Sequence, residues 1–148
     1  MTTPTIRPIA ICVFRRDGCV LVGHGHDVVK NDHYCRPPGG AIEFGERALE
    51  ALRREIREEL RTEIHAPVLL GVLENTFQLE GEGKHEIVFV FQARFVDPAF
   101  YELQEVPLYE PGWDGRLTWE SIDGFRTSQR PLYPEGLLDL LDALAKDG

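Results

Sequence analysis

The sequence predicts an α/β (α+β) fold in which a mixed β-sheet lies between helices. Short runs rich in β-branched and aromatic residues alternate with two amphipathic segments of helical period. The alternation lacks a strict strand–helix–strand rhythm, which favours helices on both faces of a mixed sheet. The chain has 148 residues and shows no repeat, low-complexity tract or linker, so we expect a single domain over residues 1–148.

Residue type and turn signals predict the first strands. Residues 9–14 form a short apolar run typical of a buried strand. Asp17-Gly18 is a turn dipeptide, so residues 19–22 are expected to be the hairpin partner of that strand. Residues 23–38 contain glycines, prolines and an Asn-Asp pair, and we expect them to form a loop.

The middle of the chain predicts one helix and two long strands. The helix is expected over residues 46–61, after a pair of glycines. Residues 68–79 and 86–96 have the composition of long strands. The Gly- and Glu-rich stretch 80–84 between them is expected to be the connecting turn.

The last third predicts little regular structure before a final helix. Residues 97–115 are expected to be irregular, and residues 117–119 to form a short strand. Residues 134–146 have helical period, with a proline well placed at the start. The expected apolar stripe of that helix consists of Leu137, Leu138, Leu141 and Leu144.

Composition excludes several classes of function. The net charge of −9 argues against a general nucleic-acid-binding protein, whose affinity depends on clustered positive charge. The apolar run at residues 9–14 is far too short to span a bilayer, so no membrane partner is expected. Three cysteines, Cys12, Cys19 and Cys35, are an odd number without a secretory context. We therefore expect reduced thiols and a cytoplasmic location.

The helix expected at residues 46–61 sorts its charges by face. Its apolar residues fall within one arc, and Glu55, Glu58 and Glu59 fall together in the adjacent arc. Glu55 and Glu59 are four residues apart, where like charges repel by a few tenths of a kcal/mol even in water. Either one carboxylate is protonated or a divalent cation lies between them. The alternative is an ordinary solvated face, in which these glutamates pair with the arginines of the same helix.

A glycine pair lies a fixed distance before this helix. Gly39-Gly40 follows two prolines, and glycine lets the backbone approach a ligand closely. Gly45 then precedes Glu46, whose carboxylate suits the positive end of a helix. These features favour a ligand site over the solvated face.

The combined pattern resembles the signature box of the Nudix hydrolases. Gly40 is followed after five residues by Glu46, and after seven more by Arg54-Glu55-Ile56-x-Glu58-Glu59. Two positions depart from the box, because Arg61 and Thr62 replace the usual Gly and apolar residue. Arg61 can adopt the left-handed conformation at a cost of about 1 kcal/mol, or the helix continues past it.

The resemblance implies an α/β/α sandwich, a reaction and a set of roles. Nudix enzymes hydrolyse the diphosphate of a nucleoside diphosphate linked to another group, by water attack on phosphorus. The implied cofactor is Mg²⁺ or Mn²⁺, and the implied metal ligands are Glu55, Glu58, Glu59 and the carbonyl of Gly39 or Gly40. The resemblance implies that Glu46 supports these ligands from behind or holds the metal through a water molecule, and that Arg54 orients the carboxylates by ion pairing. A homodimer is compatible with the family.

The general base and the substrate contacts stay open. Glu55 is one candidate base. Residues 97–120 offer other candidates, since this segment contains six carboxylates and only one arginine. Either Glu102 or Glu105 could complete the metal site. Arg36 and Arg7 could bind phosphate or a base, or be surface charges. A base could also stack on an aromatic residue; the candidates are Phe77, Phe89, Tyr101, Trp113 and Trp119.

The substrate itself is not predicted. Nucleotide sugars, ADP-ribose, dinucleoside polyphosphates and nucleoside triphosphates all suit the same chemistry. The alternative function is a module of the same fold that binds or senses a nucleotide or ADP-ribose-like ligand without cleaving it.

Overall fold

The computed structural model describes residues 3–109, 115–128 and 130–147. The strands are β1 Ile6–Val13, β2 Arg15–Arg16, β3 Cys19–Asp27, β4 Asp32–Arg36, β5 Gly39–Ala41, β6 Ile64–Leu79, β7 Glu82–Phe95, β8 Glu105–Pro107 and β9 Arg116–Ser121. The α-helices are α1 Ala48–Leu60, α2 Ile122–Thr127 and α3 Leu137–Asp147, and Pro98–Glu102 form a 3₁₀ helix. Within the described ranges, no helix is both long and apolar enough to cross a membrane.

The strands form two sheets. The first has the order β5-β1-β7-β6, and it is mixed because β1 and β7 are parallel while the other pairs are antiparallel. The second has the order β2-β3-β9-β8, with β4 paired to β3, and all its pairs are antiparallel. The predicted mixed α+β class is confirmed, with two sheets in place of the single one expected.

Alternation along β1 explains why helices cover both faces of the first sheet. Ala10 and Cys12 belong to an apolar cluster that includes the buried side of α1. Ile9 and Ile11 point to the opposite side and belong to a second cluster, which includes residues of α2 and α3. Successive side chains of a strand alternate between its faces, so one strand serves both cores. The result is the α/β/α arrangement implied by the resemblance.

The prediction for the first hairpin was wrong. β1 does not pair with residues 19–22; it pairs with β7, as Ile9 with Val88, and with β5. The Asp17-Gly18 turn is present, but it joins β3 only to the two-residue β2. Turn chemistry is local, whereas the partner of a buried strand is selected by distant apolar surface.

The loop predicted at residues 23–38 was also wrong, since β3 continues to Asp27 and β4 follows. Gly25 is required there because a Cβ at that position would lie 2.3 Å from Cζ of Tyr34. The connecting turn is held by the Asp27 carboxylate, which accepts hydrogen bonds from the backbone N–H groups of Val29 and Lys30. Glycines therefore make room for a cross-strand ring here instead of breaking the strand.

The remaining differences concern element boundaries. β6 begins at residue 64, and residues 97–115 include a 3₁₀ helix and β8. The short helix α2 was not predicted. α1 begins two residues later than expected, and α3 begins three residues later. Leu137 and Leu141 are buried and Leu138 is partly buried, as predicted, whereas the side chain of Leu144 lies outside the described residues.

Candidate active site

The carboxylates of α1 differ sharply in burial. Leu52, Ile56 and Leu60 are buried in the core, which orients the helix. Glu59 lies beside them and is only 4% exposed. The side chains of Glu55 and Glu58 are 14% and 60% exposed. On the predicted glutamate face of α1, the side chains of Glu55 and Glu59 are therefore mostly buried, and that of Glu58 lies at the surface.

Strand β5 brings the glycine pair against α1. A Cβ on Gly39, whose φ is +150°, would lie 2.1 Å from the backbone oxygen of Ala10 in β1. A Cβ on Gly40 would lie 2.5 Å from Cδ of Glu55. Neither position tolerates a side chain without movement, so the glycines allow β5 to fit between β1 and the glutamate-bearing face of α1.

Arg54 joins the carboxylates into one network. Its Nε and Nη2 donate to the two oxygens of Glu46 at 2.8 and 2.9 Å, which is a bidentate pair. Its Nη1 donates to Glu55 Oε1 at 2.9 Å and to Glu58 Oε2 at 3.4 Å, and Nη2 also reaches the carbonyl of Ala41 at 2.9 Å. The hydrogen bond from Arg54 lowers the pKa of Glu46 to about 2, and Glu46 in turn raises the pKa of Arg54.

A cavity of about 200 Å³ opens beside this network. Glu59, Gly39 and Gly40 line it, and Arg7 and Arg36 supply positive charge at its wall. Five of the sequence-predicted residues therefore meet in one cavity. Apolar and proline side chains complete the lining, namely Ile9, Pro37, Pro38, Leu108 and Leu117.

A second cavity of about 110 Å³ adjoins the first, since Arg7, Ile9 and Arg36 line both. Its aromatic residues are Tyr34, Phe77 and Tyr133. The ring centroids of Tyr34 and Tyr133 are 5.4 Å apart, and those of Phe77 and Tyr133 are 6.0 Å apart. Together the two cavities form a cleft: one end lies at Glu59 and the glycine pair, and the other, the aromatic end, contains the three rings together with charged residues of its own.

Comparison with known proteins identifies the family. The model of the NUDIX domain matches residues 4–120. The chain belongs to the Nudix family. It is a Nudix hydrolase, and the described helix, glycine pair and arginine network occupy its signature box.

Solved structures share the fold. A MutT Nudix hydrolase from Burkholderia pseudomallei is 24% identical with a TM-score of 0.67, over 93% of this chain and 97% of that one. A Nudix hydrolase from Nitrosomonas europaea is 20% identical with a TM-score of 0.65, over 97% of this chain and 90% of that one. A protein described as an ADP compounds hydrolase is 17% identical with a TM-score of 0.64, over 97% and 75% of the two chains. These likenesses establish the fold.

The departure from the Nudix box at Arg61 is absorbed locally. Arg61 adopts the left-handed conformation, with φ 54° and ψ 43°, and its N–H donates to the carbonyl of Arg57. Helix α1 therefore ends where the usual glycine would end it. The guanidinium lies 3.8 Å from the ring centroid of Tyr109, whose N–H donates to the carbonyl of Glu59.

Among the described residues of the acidic segment 97–120, no carboxylate lines either cavity of the cleft. Glu102 and Glu105 are exposed and do not line either cavity, and Glu105 pairs with Arg116 at 2.8 Å. Glu110 and Asp114 lie outside the described residues. Beside the glycine pair, the described carboxylates are those of Glu55 and Glu59.

Sequence reasoning located one of the three aromatic residues of the cleft. Phe77 lines the cleft, whereas Phe89, Tyr101 and Trp119 pack in the apolar cluster that includes the buried side of α1. Trp113 lies outside the described residues. Tyr34 and Tyr133 were missed. Tyr34 fell in the expected loop, and Tyr133 reaches the cleft because its segment hydrogen-bonds to Cys35. The buried Glu86 pairs with Arg7 at 3.6 Å and completes this wall.

The donor set of the Nudix box fits a hard divalent cation, though its ligands are not gathered. Among the described residues, no group of three or more His, Cys, Asp or Glu side chains converges on one point that could hold a metal ion. Two carboxylates nevertheless lie at the glycine pair, Glu55 against Gly40 and Glu59 in the shared cavity. All of these donors are oxygens, the type that Mg²⁺ and Mn²⁺ prefer.

Proposed function

We propose that this Nudix hydrolase is a Mg²⁺- or Mn²⁺-dependent pyrophosphohydrolase of a nucleoside diphosphate joined to another group. The observation that carries the proposal is the junction of α1 and β5, where Glu55 and Glu59 meet the Gly39-Gly40 backbone. The structural neighbour described as an ADP compounds hydrolase supports a substrate of this class.

The proposed cation ligands are Glu55, Glu58, Glu59 and the carbonyl of Gly39. A divalent cation there would supply neutralisation of the diphosphate and a more acidic water. It would also explain why crowded carboxylates persist on α1, since the repulsion between Glu55 and Glu59 grows as water is excluded. The surface position of Glu58 suits a ligand that turns inward with the substrate.

The chain's own residues orient this chemistry. Arg54 holds Oε1 of Glu55 through Nη1, while no described residue donates a hydrogen bond to Oε2. Oε2 is therefore the proposed acceptor of the proton from the attacking water. Glu46 fixes the guanidinium of Arg54 through two hydrogen bonds and so keeps the Glu55 carboxylate in place.

The two ends of the cleft suit the two halves of the substrate. Arg7 and Arg36 line both cavities, where guanidinium groups can bind the diphosphate oxygens. The aromatic end offers Tyr34, Phe77 and Tyr133 for contact with a base. The scissile linkage is then placed between Arg36 and the α1 carboxylates.

The test is a substrate panel with and without the cation. Nucleotide sugars, ADP-ribose, dinucleoside polyphosphates and nucleoside triphosphates are incubated with the protein and Mn²⁺, Mg²⁺ or EDTA, in water enriched in ¹⁸O. Products are separated by ion exchange, and ³¹P NMR shows which phosphorus acquires the label. We expect cation-dependent cleavage of at least one compound, with label on one phosphorus of the diphosphate.

A matched pair of variants separates chemistry from folding. Glu59→Gln is expected to abolish turnover while circular dichroism stays unchanged. Glu63→Gln makes the same change at an exposed residue that pairs with Arg57, and it is expected to retain turnover. If the folded wild-type protein cleaves nothing in the panel with either cation, the proposal fails and the non-hydrolytic binding module replaces it.

A further inference from the structure

A groove of about 600 Å³ lies elsewhere on the protein and shares no lining residue with either cavity of the cleft. Its polar residues come from β2, the Asp17 turn, β6 and β7, and its other wall consists of Phe95, Val96, Pro98 and Tyr101. Strands β1 and β7 are parallel, with Arg7 opposite Glu86 at the cleft and Val13 opposite Gln92 at the groove. At roughly 3.3 Å per residue, the two sites lie about 20 Å apart along β1.

The groove concentrates positive charge on a chain whose net charge is −9. Arg15, Arg16, Arg94 and His65 line it, and Asp17 is its one carboxylate. His65 and Arg94 are register partners on adjacent strands, so their side chains lie on the same face of the sheet. The guanidinium groups of Arg15, Arg16 and Arg94 carry permanent positive charge, so an anion in the groove would be attracted to all three.

The arginines of the groove differ in the contacts that they make with the rest of the protein. Arg16 is already engaged, because Nη1 donates to the carbonyls of Tyr101 and Leu103 at 3.0 Å and the guanidinium lies 4.6 Å from the Trp119 ring. Arg15 and Arg94 form no ion pair with any residue of the described ranges. Elsewhere, several arginines pair with carboxylates, namely Arg7, Arg54, Arg57, Arg116, Arg126 and Arg130. Others form no ion pair within the part of the chain that the structure describes but make a local contact: Arg53 donates to the carbonyl of Ile64, and Arg61 stacks on Tyr109. Arg15 and Arg94 are therefore available to an external anion.

We infer that this groove binds a diphosphate group. A planar guanidinium donates two parallel hydrogen bonds to phosphate oxygens, and two such groups match an anion that carries charge on both of its phosphorus atoms. Gln92 also lines the groove, where its side-chain NH₂ group can donate to phosphate oxygens; its buried Oε1 is an acceptor, which does not bind an anion, and makes no hydrogen bond with any described residue. The source of the diphosphate is either the free inorganic anion or the phosphate chain of a nucleotide. The inference does not depend on the proposed function of the cleft.

The experiment is an NMR titration of the ¹⁵N-labelled protein in metal-free buffer. Inorganic diphosphate and ADP are titrated separately at constant ionic strength, with chloride as the reference anion. We expect saturable shifts of the backbone amides at residues 15–17 and 92–96, which are separate from any shifts at Gly39-Gly40. Stronger binding of ADP identifies a nucleotide as the ligand, and stronger binding of inorganic diphosphate identifies the free anion.

Variants decide whether the arginines are responsible. Arg15→Gln combined with Arg94→Gln is expected to weaken binding at least tenfold. Arg57→Gln combined with Arg126→Gln removes the same charge elsewhere and is expected to leave binding within twofold. Should the first double variant fail to fold, Arg94→Gln alone serves, because Arg94 is exposed. The inference is overturned if diphosphate moves these amides no more than chloride does, or if both double variants bind equally.

Discussion

The carboxylate of Glu55 lies directly over the backbone of Gly40, so that a Cβ on Gly40 would come within 2.5 Å of Glu55 Cδ. The contact joins the glycine pair of the Nudix box to the glutamates of its helix. It places an oxygen donor beside a main chain that has no side chain to shield it. The Glu55 carboxylate can therefore occupy this position only because Gly40 has no Cβ.

Gly40→Ala should reduce turnover far more than stability. The added methyl must displace the Glu55 carboxylate, and a shift of about 1 Å can cost on the order of a hundredfold in rate. The side chain of Glu55 is partly exposed and can move aside, so we expect the melting temperature to change little. Gly83→Ala is the matched control, because a Cβ there meets nothing within 4 Å. Equal kcat values in the two variants would contradict the prediction.

Arg54→Lys should lower kcat by roughly 10- to 100-fold, the usual cost of disturbing a residue that orients metal ligands, which is the role proposed for Arg54. Lysine keeps the charge but cannot make the bidentate pair with Glu46 while also donating to Glu55. Arg57→Lys, one turn along α1, makes the same exchange at an exposed ion pair and should retain full activity. Steady-state kinetics of both variants provide the measurement; a fully active Arg54→Lys would show that charge alone suffices.

The arrangement of the box residues was predictable because it is encoded locally. The period of α1 places its apolar residues on one face, and the position of the glutamates relative to that face follows from 100° per residue. The spacing of Gly40, Glu46 and Arg54 in the sequence indicated the remaining residues of the box. The structure brings Glu55 and Glu59 to the glycine pair, whereas the third predicted carboxylate, Glu58, is 60% exposed at its side chain.

The aromatic end of the cleft was not predictable for a different reason. Tyr34 and Tyr133 meet because residue 35 hydrogen-bonds to residues 131 and 133, a contact made across about a hundred residues of chain. The parallel pairing of β1 with β7 is equally distant. Such contacts depend on which apolar surfaces fit together, so they cannot be predicted from local turn residues or from the periodicity of one segment.

Asp27→Asn should reduce the pH dependence of stability in acid. Asp27 is buried, and its pKa is lowered mainly by the hydrogen bond from the N–H of Glu80, together with those from Lys30 and Val29. A lowered folded pKa means that the stabilisation is fully present above the unfolded value of about 4 and is lost as pH falls through the folded value. The variant should therefore be less stable at pH 7, by a margin that shrinks below pH 4.

Urea unfolding at pH 7, 5, 4 and 3 measures this margin. Asp32→Asn removes an exposed carboxylate from the same hairpin and is the control. A difference between Asp27→Asn and wild type that stays constant over the whole pH range would refute the assignment.

Arg61→Gly and Arg61→Ala should separate strain from stacking at the end of α1. Alanine keeps the strained left-handed conformation and loses the contact with Tyr109, whereas glycine loses the same contact but removes the strain. We therefore expect the glycine variant to be more stable than the alanine variant by about 1 kcal/mol. The free energy of unfolding from urea titrations tests this, and equal values would mean that the backbone at residue 61 carries no strain.

Phe77→Ala should raise KM for the preferred nucleotide substrate about tenfold with kcat nearly unchanged, since base stacking contributes on the order of 1–3 kcal/mol. The phenyl group lines the aromatic end of the cleft, away from the α1 carboxylates, so it contributes equally to binding of the ground state and the transition state. Phe77→Tyr preserves a ring and should restore KM. Inorganic diphosphate, which has no base, should inhibit wild type and Phe77→Ala equally. A fall in kcat with unchanged KM would instead place Phe77 among the groups that position the reacting diphosphate.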